Sequence, residues 1–105
     1  MTKTITVCPL AEIPPGEKRR VVVGERQVLV VNVAGELFAV DGICSHQYAE
    51  LYDGYLRGGR ITCPLHTSTF DVRTGEPLGP PATEPLATFP VRIESGLVVV
   101  DLPEE

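Results

Sequence analysis

Two short stretches of the chain hold both of its histidines and two of its three cysteines. Cys44 is followed two residues later by His46, and Cys63 is followed three residues later by His66. Thiolates and imidazoles bind soft and borderline metals, and residues i and i+2 of an extended loop project to the same side. The spacing predicts two loops that clamp one metal site between them.

Two thiolates with two imidazoles fit either structural zinc or an iron–sulfur cluster in which histidine replaces cysteine on one iron. Zinc fingers usually pair Cys with Cys and His with His. Here each loop supplies one ligand of each kind, and the first pair is a tight C-x-H. The arrangement therefore favours a site in which each loop reaches two metals, and zinc stays the alternative.

Composition limits the size of the fold and the classes of partner. The chain has 105 residues, of which 43% are apolar, enough for a single domain with one packed core. Nine basic and fourteen acidic residues give a net charge of −5, which argues against a nucleic-acid or anionic-membrane surface. The sequence has no apolar run of membrane-spanning length and no signal-peptide pattern at its start, which predicts a cytoplasmic protein. Three cysteines, an odd number, favour metal ligation over a disulfide framework.

Short β-branched runs recur between glycines and prolines, whereas no long segment has a capped helical period. The pattern predicts an all-β fold with antiparallel strands joined by short turns, such as those at 34–36 and 94–96. A short helix is expected at 49–53, and the proline-rich stretch 76–90 is expected to be largely irregular. The predicted strands are 3–7, 18–23, 27–33, 37–40, 59–62, 69–72, 87–93 and 97–102.

The pattern C-x-H, sixteen residues, then C-x-x-H is identified as the Rieske [2Fe-2S] motif. Four further stretches resemble Rieske-type ferredoxins: "VCPLAEIPPGEKRRVVV", "GELFAVDGICSH", "FDVRTGEPLGPPA" and "LATFPVRIESGLVVVDL". The resemblance covers nearly the whole chain. It implies an antiparallel β-sandwich of small sheets over 1–105, with a cluster-binding subdomain at about 42–81 formed by two loops.

The resemblance also implies how one [2Fe-2S] cluster is bound. Cys44 and Cys63 would hold one iron through their thiolates. His46 and His66 would hold the outer iron and present their second ring nitrogens to solvent. The outer iron would then be the point at which electrons enter and leave.

Among the branches of the family, the soluble bacterial ferredoxins that serve ring-hydroxylating dioxygenases are the most similar. Respiratory relatives have two further cysteines at the positions of Ala49 and Leu65, so their disulfide cannot form here. The resemblance implies a monomeric one-electron carrier, not an enzyme, between an NAD(P)H-dependent flavin reductase and a terminal Rieske oxygenase of aromatic hydrocarbon catabolism. The alternatives are a Rieske-like small subunit of an enzyme such as nitrite reductase, and a zinc-stabilised interaction module.

Roles can also be predicted for residues outside the four-residue motif. Cys8 has no His or Cys nearby, so we expect it to pack in the core. Related proteins place a proline loop over the cluster, which implies a shielding role for Pro80 and Pro81. An apolar rim suited to brief docking is expected at Gln47, Tyr48 and Leu65.

Two positions after the second histidine distinguish this chain from its high-potential relatives. Those relatives supply a Ser hydroxyl and a Tyr hydroxyl to the cluster's sulfur atoms, at the positions of Ser68 and Phe70. The resemblance therefore implies one donor where those relatives have two, and a lower reduction potential. The charged residues Glu50, Asp53, Arg57 and Arg60 are expected to form a solvated face, with partner steering as a secondary role.

Overall fold

The structure is a computed structural model, and it describes residues 2–44, 49–65, 68–79, 82 and 84–103. Ten strands are assigned within these ranges, and two single 3₁₀ turns lie at Leu10–Glu12 and Leu51–Asp53. In chain order the strands are β1 (Thr2–Pro9), β2 (Lys18–Val23), β3 (Arg26–Val33), β4 (Glu36–Asp41), β5 (Tyr55–Arg57), β6 (Arg60–Thr62), β7 (Thr69–Asp71), β8 (Thr88–Phe89), β9 (Val91–Glu94) and β10 (Leu97–Pro103). Among the described residues, no helix is long and apolar enough to cross a membrane.

The strands form three antiparallel sheets, which confirms the predicted all-β fold. Their strand orders are β1-β10-β9, β2-β3-β4-β8 and β5-β6-β7. Short two-residue turns join several neighbouring strands. At Ala34 and Gly35 both φ angles are positive (54° and 97°), as a type I′ hairpin between β3 and β4 requires.

The central strand β3 is buried on both of its faces. Its sequence from Val28 onward, VLVVNV, is a continuous buried run instead of an alternation of buried and exposed residues. Val28 and Val30 point to one face, and Leu29 and Val31 point to the other. Sheet β2-β3-β4-β8 therefore lies between the other two sheets.

Apolar side chains form two clusters, one on each face of this middle sheet, whereas composition suggested one core. The base cluster joins the middle sheet to β1-β10-β9 and contains Cys8, Ile13, Val98 and Val100. The site cluster joins the middle sheet to β5-β6-β7, and its buried members are Leu29, Val31, Val33, Val40, Cys44, Leu51, Ile61, Cys63, Phe70, Val72, Ala82 and Leu86. Both clusters are built around the alternate faces of the same strand.

Three details differ from the predicted elements. The predicted strand at 87–93 is two strands in different sheets, because Pro90, which has no N–H to donate to a ladder, lies between β8 and β9. β5 was not predicted, since its three residues are too short to show a period. The helix expected at 49–53 is a single 3₁₀ turn at Leu51–Asp53, ended at Gly54. The boundaries of the cluster-binding subdomain stay a prediction.

Candidate metal centre

The first ligand loop begins where β4 ends. A bridge between Ile43 and Glu50 brings the two sides of the loop together. The N–H of Cys44 then donates to the carbonyl of Ala49, at 3.0 Å. A second link from the N–H of Leu51 to the carbonyl of Gly42, at 2.9 Å, fixes the base of the loop. Cys44 is thereby held at the first position inside a closed loop.

The second ligand loop connects β6 to β7 and is closed in the same way. The N–H of Cys63 donates to the carbonyl of Ser68, at 2.8 Å. In both loops, the cysteine N–H is bonded to the carbonyl five residues further on. Thr62 and Thr69, paired across the two strands, bring their Oγ1 atoms within 3.0 Å just outside this closure. The chain thus builds two loops of equal length, each with a cysteine at its base.

A third segment, running from Pro77 to Leu86, returns to the same region. Pro77 bridges to Phe70, and the N–H of Leu78 donates to the carbonyl of Thr69 at 2.8 Å. At its far end, the N–H of Leu86 donates to the carbonyl of Gly75 at 2.7 Å. Both ends of the segment are therefore fastened beside β7, the strand that leaves the second ligand loop.

The two candidate thiols share one buried environment. Cys44 is 4% exposed and Cys63 is 0% exposed, and both belong to the site cluster. Neither is in a disulfide. The residues around them in the site cluster are apolar side chains of the middle sheet, of sheet β5-β6-β7 and of the loops. Water therefore has little access to the sulfur atoms. Buried cysteine sulfur atoms in a closed apolar site are suited to metal ligation, because little solvent competes with them for the metal.

Cys8, in contrast, lies in the base cluster, where its backbone is paired with Val98. Burial raises the pKa of the Cys8 thiol, which keeps it protonated at neutral pH. Its position on the opposite side of the middle sheet separates it from Cys44 and Cys63. The expectation that Cys8 packs in the core is confirmed.

Ser68 provides a test of whether the site suits an iron–sulfur cluster. Its Oγ atom is buried and has no hydrogen-bond partner among the described residues. An unpaired buried hydroxyl costs about 1–3 kcal/mol, so such groups usually have a partner. Ser68 closes the Cys63 loop, and a sulfur acceptor there would satisfy its hydroxyl. The neighbouring Phe70 is wholly buried and offers no hydroxyl. The buried thiols and the unpaired hydroxyl of Ser68 therefore fit an iron–sulfur cluster.

The structure places some of the other predicted residues. Leu65 is 56% exposed, as a docking rim requires. Leu78, which the sequence did not single out, is 45% exposed on the third segment and adds to the apolar surface of the loops. Six predicted residues lie outside the described part of the chain: His46, His66, Gln47, Tyr48, Pro80 and Pro81.

Of the four charged residues expected to be solvated, Asp53, Arg57 and Arg60 are exposed and Glu50 is half-buried. Glu50 forms an ion pair with Arg20 of β2. Arg57 and Arg60 line an open groove beside the second ligand loop, together with Lys18. The grouping of these cations depends on strand register, which the sequence pattern does not reveal.

Residues 3–90 match the family model for the Rieske [2Fe-2S] domain. The 3-phenylpropionate/cinnamic acid dioxygenase ferredoxin subunit of Escherichia coli K12 is 42% identical over 101 residues, which cover 95% of this chain and 94% of the relative. The Sphingomonas yanoikuyae B1 ferredoxin has a TM-score of 0.89 at 38% identity, covering 96% of this chain and 100% of that one. A chain in the complex of reduced oxygenase and oxidised ferredoxin in carbazole 1,9a-dioxygenase has a TM-score of 0.90 at 36% identity, covering 97% of each chain.

Proposed function

The chain belongs to the Rieske [2Fe-2S] domain family, and we propose that it carries single electrons from an NAD(P)H-dependent flavin reductase to a terminal aromatic-ring-hydroxylating oxygenase. It is an electron-transfer component, not an enzyme, and it carries one Rieske [2Fe-2S] cluster. The Escherichia coli relative is a dioxygenase ferredoxin subunit, and the carbazole dioxygenase structure contains a ferredoxin together with an oxygenase. These relatives support the choice of partners.

We propose Cys44, His46, Cys63 and His66 as the ligands of the cluster. When bound, the cluster takes up one electron and releases it again. The two thiols are held at the bases of two equally closed loops and are sealed by the site cluster. Each histidine follows its cysteine within the same loop, so both loops supply one ligand of each kind.

The chain's own residues control access to this site. Burial of Cys44 and Cys63 keeps solvent and dissolved thiols away from the sulfur atoms. The exposed side chains of Leu65 and Leu78 give the same end of the molecule an apolar surface. A small apolar contact suits an electron carrier, because it must release each partner after one transfer.

One observation carries the proposal: the two buried thiols lie in one apolar cluster, and the unpaired buried hydroxyl of Ser68 lies at the end of the loop that begins at Cys63. The test begins with purified protein, which should contain two irons and two acid-labile sulfides and show the visible and electron paramagnetic resonance spectra of a Rieske centre. The reduced protein should then be reoxidised on mixing with a terminal Rieske oxygenase from a panel of such enzymes.

Two results would replace this function with an alternative. A colourless protein that contains zinc and lacks iron would identify a zinc-stabilised interaction module. A protein with the cluster that reduces no oxygenase, but that purifies in a fixed ratio with a large reductase, would identify a small subunit of a multi-subunit enzyme.

A further inference from the structure

The sheet β5-β6-β7 has two chemically different faces. Leu56, Ile61 and Phe70 are cross-strand neighbours, and all three pack in or against the site cluster. Successive side chains of a strand alternate between faces, so the residues between them point outward. The outward side chains are those of Tyr55, Arg57, Arg60, Thr62, Thr69 and Asp71.

This outward face is one side of an open groove of about 1050 Å³. Gly16 and Lys18, at the start of β2, line the groove as well. Its charged lining residues in the described part of the chain are Lys18, Arg57 and Arg60, and none is acidic. The whole chain has fourteen acidic and nine basic residues, so the groove is a basic area on an acidic molecule.

Arg57 and Arg60 are directly opposed across the hairpin between β5 and β6. Like charges in directly opposed positions destabilise a strand pair. Neither arginine has an ion pair within the described ranges. Asp71 is the other cross-strand neighbour of Arg60, but its Oδ1 atom accepts the N–H of Arg73, at 2.8 Å. Asp71 is the one carboxylate among these outward side chains and forms no ion pair with Arg60 within the described ranges. The face therefore keeps a net positive charge, and a bound anion would relieve the repulsion between the two opposed arginines.

The groove adjoins the second ligand loop. Thr62 lines it and directly precedes Cys63, and Thr69 lines it and directly follows Ser68. Uptake of an electron makes this end of the protein more negative by one charge. An anionic segment in the groove is therefore held more tightly by the oxidised protein than by the reduced protein. An electron donor needs this order of affinities, since it must bind the oxidised carrier and release the reduced one.

We propose that the groove bounded by Lys18, Arg57 and Arg60 docks a carboxylate-rich segment of the flavin reductase. This inference rests on the proposed function. It adds that the flavin reductase is the partner that uses the groove, and that this partner prefers the oxidised protein. The terminal oxygenase, which needs the opposite preference, contacts the protein without depending on these three cations.

The test compares two variants that each remove two positive charges. Arg57→Gln/Arg60→Gln changes the groove, and the control Lys3→Gln/Arg92→Gln changes the remote sheet β1-β10-β9. The measured quantity is the dissociation constant for the flavin reductase that reduces the wild-type protein fastest, at low and high ionic strength. We expect the groove variant to bind roughly tenfold more weakly at low ionic strength and the control to bind as the wild type does. The oxidised wild type should bind about two- to tenfold more tightly than the reduced protein.

A labelled hexaglutamate peptide is a second probe, because it requires no electron transfer. It should bind the wild type and the control at low ionic strength, and binding should be lost in the groove variant. Equal reductase affinities for the groove variant and the control would overturn the inference, as would a variant that loses affinity for the oxygenase instead. If no flavin reductase reduces the wild-type protein, the proposed function itself fails.

Stability separates docking from a structural role. Arg57→Glu places opposite charges across the hairpin, so it should raise the unfolding temperature while it weakens reductase binding. If Arg57 served the fold alone, Arg57→Glu would change the unfolding temperature and reductase binding in the same direction. An Arg57→Glu variant that is less stable and binds the reductase normally would count against the groove.

Discussion

At the scale of single residues, the hydroxyl of Ser68 has the clearest expected effect. A hydrogen bond to sulfur stabilises the more negative, reduced form of a cluster, so its loss lowers the reduction potential. A bond of about 1–2 kcal/mol corresponds to roughly 45–90 mV in a one-electron couple, at about 59 mV per tenfold change. Ser68→Ala should lower the midpoint potential by this amount in a redox titration. The control is Thr69→Val, which removes a hydroxyl on the outward face and should leave the potential nearly unchanged.

A hydroxyl added at Phe70 should change the midpoint potential in the opposite direction. Its ring is wholly buried in the site cluster, beside the loop that Ser68 closes. Phe70→Tyr adds the hydroxyl that high-potential relatives have at this position, and the midpoint potential should rise by about the same 45–90 mV. A midpoint that stays within measurement error in both Ser68→Ala and Phe70→Tyr would mean that solvent access and the segment from Pro77 to Leu86 set the potential.

The three cysteines should respond differently to substitution, since they lie in two clusters. Cys63→Ser exchanges a proposed ligand in the site cluster, so the protein should lose most of its iron or show a shifted spectrum. Cys8→Ala affects only the base cluster, and iron content and spectrum should match the wild type, with a loss in stability of about 1 kcal/mol. Iron and sulfide analysis of both variants measures this. Loss of iron in Cys8→Ala at an unchanged unfolding temperature would mean that Cys8 serves the metal site.

At the scale of elements, the segment from Pro77 to Leu86 depends on Gly75. Gly75 has φ of 81°, and a Cβ atom there would lie 2.1 Å from the carbonyl oxygen of Leu86. Gly75→Ala should cost about 2 kcal/mol or more in unfolding free energy, since it adds a backbone clash to the left-handed conformation. Gly58 is the matched control: its φ is 56° and nothing lies within 4 Å, so Gly58→Ala should cost only about 1–2 kcal/mol. Chemical denaturation measures both, and equal losses would mean that the segment is not fastened at Gly75.

The strands that the sequence predicts best are those in which a β-branched run is bounded by turn residues. β2 was predicted with its observed bounds, and β3 and β10 within one residue at each end, because β-branched runs between turn residues have few other solutions. The spacing also indicated that Cys44 and Cys63 share one region, and they are buried in the same cluster, while their assignment as ligands stays a prediction. The equal closure of their loops and the opposition of Arg57 to Arg60 were not predicted, because both depend on register between strands, which a single sequence does not specify.

At the scale of the whole molecule, the two clusters predict a graded response to removal of the metal. The site cluster contains both candidate thiols, whereas the base cluster lies on the opposite face of the middle sheet and contains neither of them. Without the [2Fe-2S] group, the proposed ligands Cys44 and Cys63 would lose their common partner, and the hydroxyl of Ser68 would lose its proposed acceptor.

Hydrogen exchange followed by mass spectrometry measures this response. After removal of iron by acid and chelator, followed by return to neutral pH, backbone amides of β5, β6 and β7 should exchange at least tenfold faster than in the intact protein. Amides of β1 and β10 should keep their protection, because their ladder spans seven register pairs and its inner face packs in the base cluster, away from the metal. Exchange in β3 should fall between the two, since Leu29 and Val31 face the loosened site cluster while Val28 and Val30 face the intact base cluster.

A uniform increase in exchange over all strands would mean that the site cluster and the base cluster form one cooperative unit. Unchanged exchange everywhere would mean that the loops are ordered without the metal.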